Sequence, residues 1–317
     1  MSEKNNFYLP YLDDYLLNLK TSNYSEESLY NYERDLKVFH DFLTESKISF
    51  DKINKKTILN YKAYLISRDR RTPNNQISKK QLGSYSINRM LSALRSYLKF
   101  LIDLDYETPI SPEMIKMVKT EKKHPRVSEF NEILKVIESP TNLEKNKIVA
   151  LRNRAMLEML FSTGMRISEL VNLKRSQIDN TGRVFIRGKG KKERFVYLTA
   201  RANKHLNQYL EFRGKDDLPF LFLPCRGKNA QQKDKKISSN YLQERIKKYR
   251  ELLGINIPIS AHSLRHGFAT YLAEKGANPA AIQILLGHES LETTPRDVHA
   301  SDRYAEKTHR KFHPLNK

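Results

Sequence analysis

Apolar residues recur at helical spacing through the first third of the chain. The stripe that follows Ser25 comprises Leu29, Tyr32, Leu36, Phe39 and Leu43. A second stripe of the same period begins near Ser84 and comprises Ile87, Leu91, Leu94, Leu98 and Leu101. One-sided spacing of this kind predicts amphipathic helices, the first with Ser25 as its N-cap. We therefore expect a helical N-terminal domain.

A segment of weak periodicity separates this region from the rest of the chain. Residues 108–128 read TPISPEMIKMVKTEKKHPRVS, with three prolines and a run of lysines. Prolines interrupt regular elements, and a basic linker could follow a phosphate backbone. The pattern predicts a helical domain over residues 5–110, a basic linker over 111–126 and a second domain over 127–317.

The second domain combines helix and strand signals. A helix is predicted over residues 146–161, with Gly164 where a C-cap glycine would stand, and another from Asn278-Pro279 to Gly287. Two short runs rich in β-branched and aromatic residues, 184–186 and 195–198, flank the basic sequence GKGKKER and predict a hairpin. The expected fold class is mainly α with a small β-sheet.

Composition adds a strong positive charge to this picture. Lys and Arg total 57 against 36 for Asp and Glu, which gives a formal net charge of +21. Such an excess favours a polyanionic partner, because each phosphate contact releases a counterion. Nucleic acid fits best, and an anionic membrane surface or a simply well-charged protein are the alternatives.

Cysteine usage and the N-terminus limit where the protein acts. Cys225 is the only cysteine, which excludes an internal disulfide and a cysteine-rich zinc site. Pro10, Asp13 and Asp14 interrupt the N-terminal segment, so it lacks the apolar core of a signal peptide. No apolar run approaches the roughly 20 residues that span a bilayer. We expect a cytoplasmic protein that does not contact a membrane.

Two segments of the second domain place cations next to glycine turns. In STGMRISELVNL, Arg166 follows Gly164 at the start of a helix, where it could bind an anion or pair with Glu169 on the surface. In the hairpin turn, glycines would allow Lys189 to approach a phosphate closely, although basic tips are commonly just solvated.

Two further segments contribute histidines. In AHSLRHGFATYL, helical spacing puts His262, Arg265 and His266 on one side of a helix. The interval between the histidines matches that of a zinc site, but Ser263 stands where the glutamate base would be. An arginine beside histidines better suits phosphate binding and proton transfer. In LLGHES, His288 follows a helix-ending glycine, and alone it would be interpreted as structural.

Taken together, these segments resemble the tyrosine recombinase and phage integrase family, closest to its Xer-type branch. The resemblance covers nearly the whole chain, from SYSINRMLSALRSYLKFL to DRYAEKTHRKFHP. Its most specific part is H-x-L-R-H followed by L-L-G-H and T-T. The resemblance implies a two-domain, C-shaped DNA clamp, with a helical core-binding domain and a mixed α+β catalytic domain.

The resemblance also implies roles for individual residues. Arg166 and Arg265 match the two arginines that clamp the scissile phosphate and stabilise its pentacoordinate transition state. Lys189 matches the hairpin lysine that protonates the departing 5′ oxygen.

Three further positions complete the implied site. His262 and His288 match the two remaining positions, one assisting proton transfer and one donating to the phosphate. Glu193 matches an acidic position that orients the others. Phosphoryl transfer needs neutralised oxygens and a proton for the leaving group, and these side chains supply both, so we expect no metal and no cofactor.

The nucleophile of the family is missing. The T-T-x-x-Y-x-H pattern places the tyrosine nine residues after His288, where this chain has Asp297. Tyr304, seven residues later, aligns with the tail helix and is the alternative nucleophile. A carboxylate is short and anionic at neutral pH, and it would form only a labile acyl phosphate. We expect a chain that binds DNA without cleaving it.

The resemblance implies partners as well. Duplex DNA with an inverted-repeat site is the expected substrate, with four protomers on two sites, a 3′-phosphotyrosyl intermediate and a Holliday junction. The tail from Tyr304 to Lys317 would dock on a neighbouring protomer, or else be a frayed basic end. Dimer resolution in chromosome segregation and mobile-element integration both stay open. The rival functions are a non-catalytic DNA-binding or architectural relative and a type IB topoisomerase.

Overall fold

The chain divides into two compact units, Met1–His124 and Pro125–Lys317. The structure is a computed structural model. It describes residues 9–67, 81–121, 129–188, 193–225, 232, 235–287 and 302–315.

The first unit is helical in the described residues, as the apolar stripes predict. Its helices are α1 (Leu12–Thr21), α2 (Glu26–Glu45), α3 (Lys55–Ile66) and α4 (Ser84–Asp103), with 3₁₀ turns at Phe50–Lys52 and Pro112–Met114. The Ser25 hydroxyl accepts the Ser28 amide at 3.2 Å and so caps α2, as predicted. Leu36 on α2 and Leu94 on α4 are buried in the same apolar core. Both predicted stripes face that core.

The segment that follows α4 lies against that helix. The Asn88 side chain donates to the Val118 carbonyl at 2.9 Å and accepts the Val118 amide at 2.8 Å. The Tyr85 hydroxyl donates to the Glu121 carbonyl at 3.3 Å, and Ile115 is buried. Residues 115–121, which fall within the predicted linker, are thus held by the first unit.

The second unit is built around one buried helix. Its elements in chain order are α5 (Phe130–Glu138), α6 (Pro140–Leu143), α7 (Lys147–Thr163), α8 (Ile167–Val171), β1 (Arg183–Arg187), β2 (Glu193–Tyr197), α9 (Ala200–Arg213), α10 (Ser239–Leu252), α11 (Ala261–Glu274), α12 (Pro279–Leu286) and α13 (Asp302–Phe312). Nearly every residue of α7 is buried. Asn146 caps its start, and Gly164, in the left-handed conformation, ends it as predicted.

Buried charges on α7 are paired with neighbouring elements. Glu158 is fully buried and accepts from Arg154 at 2.9 Å and from Arg201 of α9 at 2.8 Å. Arg201 also donates to Glu138 of α5 at 2.7 Å. These pairs neutralise two of the charges that α7 carries into the core, Arg154 and Glu158. An unpaired buried charge would destabilise the unit strongly.

The predicted hairpin is present. β1 and β2 pair antiparallel, with Ile186 opposite Arg194 and Arg187 opposite Glu193. Side chains alternate between the two faces of a strand, and here Ile186 and Arg194 point inward while Arg187 and Glu193 are exposed. The second strand ends at Tyr197, one residue earlier than predicted.

The last described helix, α13, packs against α12 and β2 of the same unit. His309 of α13 and His313, which follows the helix, are buried. Among the described residues, no helix is long and apolar enough to cross a membrane.

Candidate active site

The turn between α7 and α8 presents Arg166. Gly164 makes this turn with φ +63°, and a Cβ there would lie 2.4 Å from the Phe268 ring. Only glycine fits, because the backbone is left-handed and the ring leaves no space. The Arg166 backbone is the N-cap of α8, and its side chain is 40% exposed. Arg166 therefore stands at the surface on a sterically fixed turn.

Arg265 is buried on α11 and held by two backbone carbonyls. Its Nη1 donates to the Gly164 carbonyl at 2.6 Å and its Nη2 to the Leu286 carbonyl at 2.7 Å. Burial, and then the positive charges of Arg166 and Arg194, lower the pKa of Arg265 to about 10. The group stays protonated at neutral pH, and each terminal nitrogen keeps a second N–H for another acceptor.

Glu169 joins Arg166 to a second buried arginine. Its Oε2 accepts from the Arg166 amide at 2.7 Å, and its Oε1 accepts from Arg166 Nη1 at 3.2 Å. Arg194 binds the same carboxylate in a bidentate manner, at 2.9 and 2.8 Å. Burial raises the pKa of Glu169, but the hydrogen bonds and charge of Arg194 outweigh burial, and the net pKa lies below its ordinary value.

The acidic residue beside the arginines is thus Glu169. Glu193, which the family resemblance implied for this role, is about half exposed on β2, and its Oε1 lies 3.8 Å from Arg187 Nε. The pairing of Arg166 with Glu169, which the sequence offered as the alternative to anion binding, does occur. The same carboxylate nevertheless also serves Arg194 in the interior, so it is more than a surface partner.

Arg166, Arg265 and His262 line one cleft of about 820 Å³. His262 is exposed in the first turn of α11, and Arg265 follows one turn later on the same side. Helical spacing therefore places both side chains toward the space that Arg166 borders, as predicted. The cleft brings together three of the six residues predicted for the site.

Helix α10 supplies the opposite wall of the cleft. Gln243, Glu244, Lys247 and Arg250 line it. Among the described lining residues, Arg166, Arg265, Lys247 and Arg250 are cationic, whereas Glu244 is the one carboxylate. The excess of positive charge suits a phosphate. These α10 residues were not predicted as part of the site. The basic, amphipathic pattern of the helix is visible in the sequence, but it does not show which face lines a cleft.

Lys189, His288 and Asp297 lie outside the described residues, and so does the turn that carries Lys189. The described residues nearest in the chain to Lys189 and His288 are close to the arginines. Gly287, which precedes His288, ends α12 with φ +65°, and a Cβ there would lie 3.0 Å from Arg194. β2, which follows the turn, carries Arg194.

Among the residues that the structure describes, a zinc site at His262 and His266 has no additional ligand. His262 and His266 are both exposed on α11. Within the part of the chain that the structure describes, no group of three or more His, Cys, Asp or Glu side chains could hold a metal ion. The positive charge of Arg265 next to these histidines also disfavours a cation.

Comparison with known sequences matches both units. Residues 126–303 match the Phage integrase family, and residues 12–104 match the N-terminal SAM-like domain of phage integrases. The chain is 33% identical to tyrosine recombinase XerD of Staphylococcus epidermidis, over 92% of this chain and 93% of that protein. It is 32% identical to tyrosine recombinase XerC of Leptospira interrogans, over 92% and 89%.

Comparison with solved structures agrees on the fold. XerH recombinase bound to a palindromic difH substrate, in a post-cleavage complex, matches with a TM-score of 0.66 at 22% identity, over 91% of this chain and 81% of that one. A lambda integrase tetramer bound to a Holliday junction matches with a TM-score of 0.67 at 18% identity, over 92% and 82%.

Proposed function

Because this chain belongs to the phage integrase family of tyrosine recombinases, we propose that it binds short recombination sites in duplex DNA but leaves both strands uncut. The observation that supports this is the cleft shared by Arg166, His262 and Arg265. Two guanidinium groups and an imidazole on one cleft form a site for a phosphodiester. Acting on chromosomal or mobile DNA, the protein would work in the cytoplasm.

The parent chemistry follows from these groups. Arg166 and Arg265 neutralise the nonbridging oxygens of the scissile phosphate, where negative charge develops in the transition state. Lys189 donates a proton to the departing 5′ oxygen. His262 and His288 complete proton transfer and phosphate binding. In a relative that has its tyrosine, the product is a 3′-phosphotyrosyl bond and then a Holliday junction.

Asp297 interrupts this chemistry at the first step. A carboxylate with an ordinary pKa of about 3.9 is anionic at neutral pH and is repelled by the phosphodiester. It is also shorter than a phenol, and its product would be a hydrolysable acyl phosphate. With the other catalytic positions filled, we attribute Asp297 to a changed tyrosine codon, which sequencing the source genome would test.

The assembly we propose is a tetramer on two inverted-repeat sites. The lambda integrase tetramer on a Holliday junction supports this stoichiometry by analogy of fold. We also propose that the tail exchanges between protomers. In one chain α13 covers a surface of its own unit, and every copy offers the same surface. Deleting residues 302–317 should then reduce cooperative binding to paired sites in a gel-shift titration.

The decisive experiment restores the nucleophile. The unaltered protein should give no covalent protein–DNA adduct on a denaturing gel, whereas Asp297→Tyr should give a 3′-linked adduct on a nicked suicide substrate. Tyr304→Phe in that background should leave the adduct yield unchanged. An adduct with the unaltered protein that Tyr304→Phe removes would instead identify Tyr304 as the nucleophile. An inert Asp297→Tyr protein that still binds its site would favour a purely architectural relative.

Binding itself has an electrostatic test. Each phosphate that the protein neutralises should contribute about −0.9 to the slope of log affinity against log salt on duplex DNA. We expect a steep slope for the unaltered protein, measured by fluorescence anisotropy at several salt concentrations. A flat plot would remove phosphate contacts as the source of affinity.

A further inference from the structure

Arg194 is buried in the second unit and is not among the described residues that line the cleft. It is the first inward-facing residue of β2, and its side chain is only 7% exposed. Its Nε donates to the Leu285 carbonyl at 3.0 Å, and both terminal nitrogens bind Glu169. No nitrogen of the guanidinium lacks an acceptor, so the side chain has one fixed orientation.

These contacts join three parts of the proposed site. Glu169 accepts from both the amide and the side chain of Arg166, so its position determines that of Arg166. Leu285 lies in the last turn of α12, just before His288. The hairpin turn with Lys189 leads directly into β2. One guanidinium therefore touches or adjoins the segments that carry Arg166, Lys189 and His288.

The end of α12 is fixed by two arginines. The last carbonyls of a helix have no partner within the helix, and the negative end of the helix dipole lies there. Arg194 binds the Leu285 carbonyl and Arg265 binds the Leu286 carbonyl. The backbone of Gly287 then passes so close to Arg194 that a Cβ would lie 3.0–3.2 Å from three of its atoms. A shorter or differently placed side chain would release this turn.

We infer that Arg194 is a positioning residue, which holds the Lys189 hairpin, Glu169 under Arg166 and the turn before His288 in one arrangement. This inference rests on the proposed function, because it assumes that these three segments serve one phosphate. Arg194 acts through its neighbours and does not contact DNA. A displacement of about 1 Å at such a site can reduce a rate about 10²-fold.

The kinetic test uses the Asp297→Tyr background and two substrates. Arg194→Met should reduce cleavage of an ordinary oxygen-linked site by about 10²-fold or more. A substrate with sulfur at the bridging 5′ position needs no proton donor, so its loss should be smaller, though still measurable, because Arg166 is also displaced. The control, Arg187→Met, removes one positive charge from the exposed face of the neighbouring strand. This variant should cleave both substrates as fast as the Asp297→Tyr protein.

The two substrates distinguish positioning from general damage. A variant that is only partly folded would lose both rates by the same factor, and that result would overturn the inference. Unchanged rates would overturn it as well. Arg194→Lys keeps the charge but cannot bind Glu169 and Leu285 together, so it should resemble Arg194→Met.

A second measurement needs no cleavage and is made with Asp297 unchanged. The Arg166 amide donates to Glu169, so its hydrogen exchange reports whether that carboxylate is held. Arg194→Met should speed this exchange at least about tenfold, with no change at the Gly214 amide that ends α9. Equal exchange in both proteins would show that Glu169 is fixed without Arg194. If Asp297→Tyr proves inert, the proposed parent cleavage chemistry fails, and this experiment still decides the role of Arg194.

Discussion

His309 on α13 binds the backbone carbonyl of Ser162 at the end of α7, with 2.5 Å between Nε2 and the oxygen. One helical turn later, His313 binds the Phe161 carbonyl at 3.2 Å. Both imidazoles are buried. They complete the C-terminus of the central helix two residues before Gly164, where the Arg166 turn begins.

This capping makes stability depend on pH. Burial lowers the pKa of His309 to about 4 and that of His313 to about 3, from an unfolded value near 6.5. Between these values the unfolded chain binds protons that the folded chain does not, so stability is highest above pH 6.5 and falls as pH decreases toward 4. Lowering pH from 7.5 to 5.5 should reduce the free energy of unfolding by about 3 kcal/mol through this pair.

Urea unfolding at the two pH values measures the effect. His309→Gln keeps a donor for Ser162 but has no titrating group, so its loss on acidification should be about half as large. His266→Gln removes an exposed histidine of α11 and should keep the full loss. Equal acid sensitivity in His309→Gln and the unaltered protein would show that other groups control it.

The close approach of Gly164 to Phe268 predicts a stability effect. Gly164→Ala adds left-handed strain and overpacking against the ring, and should lower the free energy of unfolding by about 2–5 kcal/mol. Gly254→Ala is the matched control, because Gly254 has φ +67° and open space around it. It should cost about 1–2 kcal/mol. Thermal unfolding of both variants tests the difference. Equal losses of unfolding free energy would show that the Phe268 ring moves to accommodate the added methyl group.

The two cleft arginines should matter for cleavage more than for binding. In the Asp297→Tyr background, Arg166→Ala or Arg265→Ala should abolish adduct formation yet keep most DNA affinity, because each is one phosphate contact among many. Arg310→Ala, on the exposed face of α13, is the control for loss of one positive charge. Suicide-substrate cleavage and anisotropy measure the two quantities. If either cleft variant cleaved as fast as the Asp297→Tyr protein, the scissile phosphate would have to bind elsewhere.

Lys189 should act as the general acid. Lys189→Ala in the same background should slow cleavage of an oxygen-linked site by roughly 10²–10⁴-fold. A sulfur-bridged site should be cleaved nearly equally by both proteins, because a thiolate leaves without a proton. Failure of sulfur to rescue the variant would assign Lys189 to phosphate binding alone.

Local patterns in the sequence were enough to predict most of the fold. The stripes after Ser25 and Ser84, the Gly164 and Gly287 helix ends and the hairpin depend on residues close together in the chain, and the structure confirms them. The cleft residues Arg166, His262 and Arg265 were found through motifs of the same local kind. Pairings between distant segments left no such signal.

The sequence did not show which of the adjacent residues Glu193 and Arg194 is buried near the site. They are adjacent on β2, and a shift of one residue on a strand exchanges the buried and exposed faces. Basic residues at a hairpin are commonly solvated, so nothing local indicated that Arg194 is buried. Its partner Glu169 is 25 residues earlier, and only the folded chain brings the two together.

The same connectivity governs when the phosphate site forms during synthesis. The acceptors that fix Arg194 and Arg265 include the carbonyls of Leu285 and Leu286, which are synthesised when about nine-tenths of the 317 residues have been added. A fragment that ends before α12 lacks these carbonyls, so each arginine loses one of the contacts that fix its orientation. Truncated translation products of a cleaving relative built this way would be harmless to the genome, because the ability to cut DNA would arise only in a nearly full-length polypeptide.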